Sequence, residues 1–196
     1  MQEGHINDIY REIGKPDKLK LNRTVIHDVC LDQNFEILRM HLDKIIRNSE
    51  TVKQAKELRK KLVNARDRYN NNALMLTCVY STESKEYDKN ACIRLLKDSG
   101  SLMNIRNNES GFTCMHWVAK WGEIKNIEYL CENGMSICIP DNLGYIPLDY
   151  AGLFQHKKAM KYLIKKGIEE SKWQLMTTFG KEPNQVSADP KCLFSG

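Results

Sequence analysis

The sequence predicts an all-α fold: a solenoid of about four stacked helix–turn–helix units, the first two irregular, with a helical cap at each end. Three observations carry this. Two segments thirty-three residues apart keep their character position by position. Apolar residues inside them recur at helical spacing. Glycines fall where a chain of short helices must turn.

The regular pair comes first because it defines the unit. Gly111-Phe112-Thr113-Cys114-Met115-His116-Trp117-Val118-Ala119 leads into Lys120-Trp121-Gly122, and Gly144-Tyr145-Ile146-Pro147-Leu148-Asp149-Tyr150-Ala151-Gly152 leads into Leu153-Phe154-Gln155. Further on, Ile127, Tyr129, Leu130 and Gly134 return as Met160, Tyr162, Leu163 and Gly167. A glycine turn opens a short helix with small residues for close packing. A break at Gly122 or Gln155 starts a second helix, whose Ile124, Ile127 and Leu130 share one face. Gly134 and Gly167 suit left-handed C-caps. Such a hairpin cannot bury its apolar face alone, so it needs neighbours on both sides.

These residues resemble the ankyrin-repeat family, whose unit reads G-x-T-P-L-H-x-A-A-x-x-G with a later L-L-x-x-G. Gly111, Thr113, Met115, His116, Ala119 and Gly122 match it best; Gly144, Pro147, Leu148 and Ala151 follow, with Asp149 in place of the family's histidine. The template finds two earlier units. Thr24–Cys30 resembles T-P-L-H-x-A-A, and Phe35–Leu42 supplies its second helix. Asn72–Cys78 opens another unit, with Ile93–Gly100 as its second helix. Asn22 and Asn70 stand where the glycine belongs.

The expected organisation is then an N-terminal capping helix over 1–21, repeats over 22–168, a C-terminal capping helix over 169–180 and an extended tail over 181–196. The approximate units are 22–69, 70–106, 107–140 and 141–168, with insertions near 46–62 and 81–88. The first insertion either lengthens a helix or adds one, with Val52, Ala55, Leu58 and Leu62 on its apolar side. Ile6, Ile9, Tyr10 and Ile13 line the first cap, and Trp173 and Met176 are placed over the last repeat's open face.

Composition sets limits on function. Hydrophobic residues make up 41% and charged residues 28%, with a net charge of +5, which suits an array with much surface per residue and argues against disorder. That mild excess of positive charge falls short of a dedicated nucleic-acid binder, though it permits an acidic partner surface. Seven cysteines without a C-x-x-C pair, in a chain opened by no secretory signal, predict a reducing, cytoplasmic compartment. No apolar run is long enough to span a membrane.

No catalytic, cofactor-binding or metal-binding residue is expected. His27 and His116 invite a triad reading with Asp28 or Cys30, but the family resemblance makes this histidine a structural link between repeats. Cys131 and Cys138 are seven apart with no histidine partner, which is poor zinc spacing. Phosphate-loop, H-E-x-x-H, G-x-S-x-G and EF-hand patterns do not occur.

The aromatic residues say more. Tyr80, Trp121 and Phe154 share one slot of successive units, and Phe112 and Tyr145 share another. The resemblance implies that both slots face the concave groove that grips partner proteins. The expected partner-binding residues are therefore Tyr80, Phe112, Trp121, Tyr145 and Phe154, with Lys120 and Leu153 beside them. The plainer reading is that the rings stiffen the array. Lys157, Lys158, Lys161, Lys165 and Lys166 form a basic patch on the last unit, and Lys53, Lys56, Arg59, Lys60 and Lys61 another on the inserted helix. Solvated helix faces explain both; an acidic partner is the alternative.

The function expected is a non-enzymatic protein-binding adaptor or scaffold. Its rivals are the cytoplasmic ankyrin segment of a larger membrane protein and a structural subunit of a large assembly.

Overall fold

A computed structural model describes residues 22–81 and 89–179, with side chains described as far as 171. The first cap, most of the insertion near 81–88, the tail, and the placement of Trp173 and Met176 lie outside these described parts.

Each unit begins with a short helix: α1 Val25–Leu31, α4 Ala73–Val79, α6 Cys114–Lys120 and α8 Pro147–Leu153. The second helices are α2 Phe35–Arg47, α5 Lys89–Asp98, α7 Ile124–Glu132 and α9 Lys157–Phe179. The insertion after α2 forms a helix of its own, α3 Val52–Val63, packed on α2. The first helices stack in the order α1, α4, α6, α8; α2 meets α5 and α7 meets α9. A helix of seven residues is too short to persist alone in water. Its stability comes from the neighbours that cover it.

One apolar core runs through the stack. Ile26, Leu38 and Leu42 of the first unit join Leu74, Met75, Ile93 and Leu96 of the second. Met115, Val118, Ile127 and Leu130 continue it into the third, and Ala151, Ala159 and Leu163 into the fourth. In α3, Ala55 and Leu62 are buried and Leu58 packs against the core as expected, whereas Val52 is exposed. Val52 is the first residue of the helix and stays in solvent, and Val63 at its other end is buried instead.

Left-handed residues recur at two places of the unit. Asn22, Asn70, Gly111 and Gly144 have φ of 57°, 65°, 77° and 87° at the turn preceding the first helix. Asparagine and glycine tolerate this region best, which explains why the two substitute for one another here. Gln33, Gly122 and Gln155, at 53°, 67° and 56°, turn the chain between the two helices. In the second unit that slot is Ser81, where the insertion begins and takes over the connection.

The turns before the first helices form a ladder. Asp67 Oδ1 accepts from the N–H groups of Tyr69 and Asn71, and Asp141 Oδ1 from those of Leu143 and Tyr145. Asn107 Oδ1 does the same for Glu109 and Ser110. Adjacent rungs are tied by Asn108 N–H to Tyr69 O at 2.9 Å and by Asn142 N–H to Ser110 O at 3.0 Å. Asn107 Nδ2 adds a bond to Asn71 Oδ1.

One expected stop is absent. Gly134 is left-handed and ends α7, with Met135 N–H bonded to Leu130 O, but Gly167 sits inside α9. After Gly134, buried Met135 and Ile137 pull the chain off the helix axis into the next turn. After Gly167 the sequence Ile168-Glu169-Glu170-Ser171 stays helix-compatible, and the expected separate capping helix is the continuation of α9.

Two glycine substitutions separate conformational strain from steric clash. A Cβ on Gly122 meets the His156 ring, while one on Gly134 meets nothing within 4 Å. Gly134→Ala should cost about 1 kcal/mol from positive φ alone, and Gly122→Ala ~2–4 kcal/mol, in urea unfolding. Equal losses would show that the His156 contact is not felt.

Candidate protein-binding face

His27 and His116 are struts. His27 Nδ1 accepts the Thr24 N–H at 2.9 Å, which places the proton on Nε2, bonded to Ala65 O at 3.0 Å. His116 repeats this with the Thr113 N–H at 3.0 Å and Tyr145 O at 3.1 Å. Each ring thus caps its own helix and holds a carbonyl of the segment leading into the next unit. Burial lowers both histidines below their ordinary 6.5, opposed by the carbonyl bonds. They stay neutral and saturated with partners, which leaves no free nitrogen for general-base work. Where histidine is missing, other groups divide the task. Asn72 caps α4 through Met75 N–H and donates to Leu102 O at 2.8 Å. Asp149 Oδ2 accepts the Ile146 N–H but, having no proton to give, makes no onward bond of this kind.

The ends of the first helices are held by a second set of struts. Trp121 Nε1 donates to Val79 O at 3.0 Å, across to the preceding unit. His156 Nε2 bonds to Lys120 O at 2.8 Å. Gln33 Nε2 donates to Thr77 O and to Tyr80 O. Tyr80 O also receives the ammonium of Lys89 at 2.7 Å, and that ammonium lies 2.8 Å from Glu123 Oε1. Lys89 is only 2% exposed, so this pair links the second and third units in a poorly hydrated place. The sequence reading missed Lys89. The signal was present: Lys89 and Glu123 open the second helices of neighbouring units with opposite charges.

The aromatic residues expected to share one surface separate into three situations. Phe112 is buried, its ring 5.1 Å from His116, 4.9 Å from Trp117 and 4.8 Å from Tyr150. It stiffens the third and fourth units and offers no face to a partner. Trp121 is half-buried, its indole N–H committed to Val79. Tyr80, Tyr145, Leu153 and Phe154 are exposed, at 58%, 52%, 72% and 44%. The ammonium of Lys120 is 5.3 Å from the rings of Trp117 and Trp121 and 5.6 Å from Phe154, which it holds against the stack. Tyr80, Lys120, Trp121 and Phe154 therefore mark the ends of three successive first helices. Tyr145 and Leu153 line an open groove of ≈ 720 Å³ on the last unit.

The remaining candidates are plain. Cys30, Cys78, Cys92, Cys114 and Cys131 are buried and unbridged, and Cys138 is exposed. Burial pushes the Cys131 thiol up to about 12 and holds Cys30 and Cys114 well above their ordinary value, so they act as small apolar groups. Among the described residues no cluster of metal-ligating side chains occurs. Asp141 resists its burial through bonds from Tyr150 and from the Tyr145 and Leu143 N–H groups, which hold its carboxyl below the ordinary range. The Tyr150 hydroxyl, 2.5 Å away, is pushed up by its burial and then by that carboxylate. This pair braces a turn. Lys157, Lys158, Lys161 and Lys165 are exposed along α9, while Lys166 is half-buried with its ammonium 3.5 Å from Glu169. On α3, Lys53, Lys56, Lys60 and Lys61 are exposed and Arg59 is half-buried.

The unit geometry agrees with comparison to known proteins: residues 82–172 match the model for ankyrin repeats in three copies. Residues 82–172 are ankyrin repeats. The ankyrin and IPT/TIG repeat-containing protein of Schizosaccharomyces pombe is 35% identical over 81 residues. That match takes in 41% of this chain and 7% of the yeast protein, so the chain spans a small part of that relative. Ankyrin repeats are generally protein–protein interaction modules and typically carry no enzymatic activity. No helix among the described residues is long and apolar enough to cross a membrane.

The struts predict two responses. Because both histidines are lowered on folding, the unfolded chain takes up more protons as the pH falls. Their contribution is full above 6.5 and is lost as the pH drops through 6.5 toward the folded values. Urea unfolding should show stability declining across this window, with a shallower decline in His27→Gln/His116→Gln; an unaltered slope would contradict the role assigned. Trp121→Phe keeps the ring but strands Val79 O, and should cost about 1–2 kcal/mol in the same measurement.

Proposed function

We propose that this chain is a non-enzymatic adaptor or scaffold whose partner lies along the ends of the first helices, the side expected to be concave in ankyrin repeats. The observation that carries the reading is the exposure of Tyr80 and Phe154 at equivalent places two units apart, with the half-buried Trp121 at the same place between them. Trp121 and Lys120 lie between, so rings and an ammonium alternate over three units. Large rings fixed in place bind at little entropic cost and commonly dominate interface energy. Preorganisation by the carbonyl struts is the mechanism: the face is built before the partner arrives. A mildly basic chain favours an acidic partner surface. Five buried thiols without bridges support residence in a reducing compartment such as the cytoplasm.

The test spares Trp121, whose loss would weaken the stack itself. Proteins retained by the full chain from native lysate are compared with those retained by Tyr80→Ala/Phe154→Ala. A partner held by the wild type should bind the variant at least ~30-fold more weakly, corresponding to about 2 kcal/mol, while unfolding shifts by under ~1 kcal/mol. Equal retention by both proteins would remove this face from consideration.

A further inference from the structure

We propose that the groove on the free side of the last unit, between α8 and α9, takes an acidic amphipathic helix of a partner protein. This surface is separate from the row of Tyr80, Lys120, Trp121 and Phe154. Its walls are Leu143, Tyr145, Leu148, Leu153, Met160 and Ile164. Gly152 leaves its floor low, for a Cβ there would meet only Met160 Cε, at 3.8 Å.

The groove is continuous in design with the interfaces already inside the array. Thirty-three residues earlier, Leu148, Gly152, Met160 and Ile164 correspond to Met115, Ala119, Ile127 and Cys131. Those four are buried, at 0%, 0%, 0% and 9%, because α8 covers α6 and α9 covers α7. In the last unit no described residue forms a layer over the same slots, and Ile164 is 45% exposed, with Leu143 and Leu153 above 70%. The surface is therefore shaped to receive helix, which is what sits on its counterpart one unit back.

Charge selects the occupant. Lys157 and Lys161 lie seven and three residues before Ile164, on the same side of α9, and are exposed. Lys158 extends the positive edge, and Lys165 follows with its ammonium 3.9 Å from Glu169 Oε1. The one acid of the lining, Asp149, has Oδ2 bonded to the Ile146 N–H. A second copy of this chain placed face to face would bring two lysine edges together. Residues 180–196 carry Lys181 and Lys191 against Glu182 and Asp189, and so offer no net charge to match the rim. A helix with leucine-type residues at i, i+3, i+4 and i+7, flanked by carboxylates, satisfies both the apolar floor and the basic edge.

The experiment uses the full chain and two labelled probes of about sixteen residues, long enough for ~24 Å of helix. Both carry leucines on one face; one has glutamates on the other face and the second has lysines. Fluorescence anisotropy should show saturable binding of the glutamate peptide, at least about tenfold tighter than the lysine peptide and weakening as salt is raised. Ile164→Glu and, independently, Leu153→Glu should each abolish it, with circular dichroism confirming the fold; Leu153 is exposed enough that its variant folds even if the other does not. Lys157→Glu/Lys161→Glu should reverse the preference between peptides. Absence of binding, or binding indifferent to Leu153→Glu, overturns the proposal. So does a dimer in sedimentation that Leu153→Glu dissolves, which assigns the groove to a second copy. Peptide binding that emerges only after deletion of 180–196 assigns it to the chain's own tail. Partner capture through Tyr80 and Phe154 does not enter this assay, so either reading can fail without the other.

Discussion

A short helix leaves its last carbonyls without partners, and an array of short helices multiplies that debt in places water reaches poorly. In this chain the debt is met by side chains of neighbouring units. Trp121 reaches back to Val79, His156 reaches back to Lys120, and Gln33 reaches forward to Thr77 and Tyr80. His27, Asn72 and His116 do the corresponding work at the turns. Apolar contact draws the hairpins together but is indifferent to small slips. A donor aimed at one carbonyl is not, so these bonds fix how far each unit is turned against the next. Removing one leaves a buried oxygen unpaired, which costs more than the bond itself contributes.

The insertion in the second unit shows how the constraint survives an interruption. The other units turn between their helices through a left-handed residue, whereas in the second that slot is Ser81, where the insertion begins. When it returns, Lys89 lies at the start of α5 and drives its ammonium onto Cys78 O and Tyr80 O. Desolvating an ammonium is costly, and Glu123 of the next unit offsets the cost with a direct ion pair. Asn126 steadies that carboxylate through its other oxygen. One buried cation thus restores the local termination and couples two units.

Most of the backbone was legible in the sequence, and the reason is geometric. Asn22 and Asn70 were recognisable as stand-ins for Gly111 and Gly144 because few residues accept positive φ. His27 and His116 were recognisable as structural because they stand where the resembled ankyrin unit has its T-P-L-H histidine. What was not legible depended on the layer above. Phe112 and Tyr145 occupy one slot, yet the first is buried and the second exposed, because Tyr150 lies over Phe112 and no described residue lies over Tyr145 in the same way. A repeat pattern fixes where a Cα stands. It does not say whether another unit follows. Gly167 failed as a stop for a related reason: Gly134 ends a helix because buried Met135 and Ile137 claim the chain beyond it, whereas the half-buried Ile168 continues the helix.

Exposure at the end of an array is therefore a property of position more than of residue type, and it has a consequence for composition. A terminal unit that faces water would be expected to carry polar groups on its outer side, since uncovered apolar slots promote association. Gln155 and Asp149 go some way toward that, but Leu143, Leu153 and Ile164 do not. These three keep the character of a covered layer while the lysines of α9 keep the character of a solvated edge. The two demands conflict for a surface left bare and agree for one that meets an apolar stripe bordered by carboxylates. The same logic explains why the first helices end in exposed rings without endangering the stack. At Tyr80 the nearby carbonyls, Val79 O and Tyr80 O, are already paired, so the exposed ring is not needed to close the helix end.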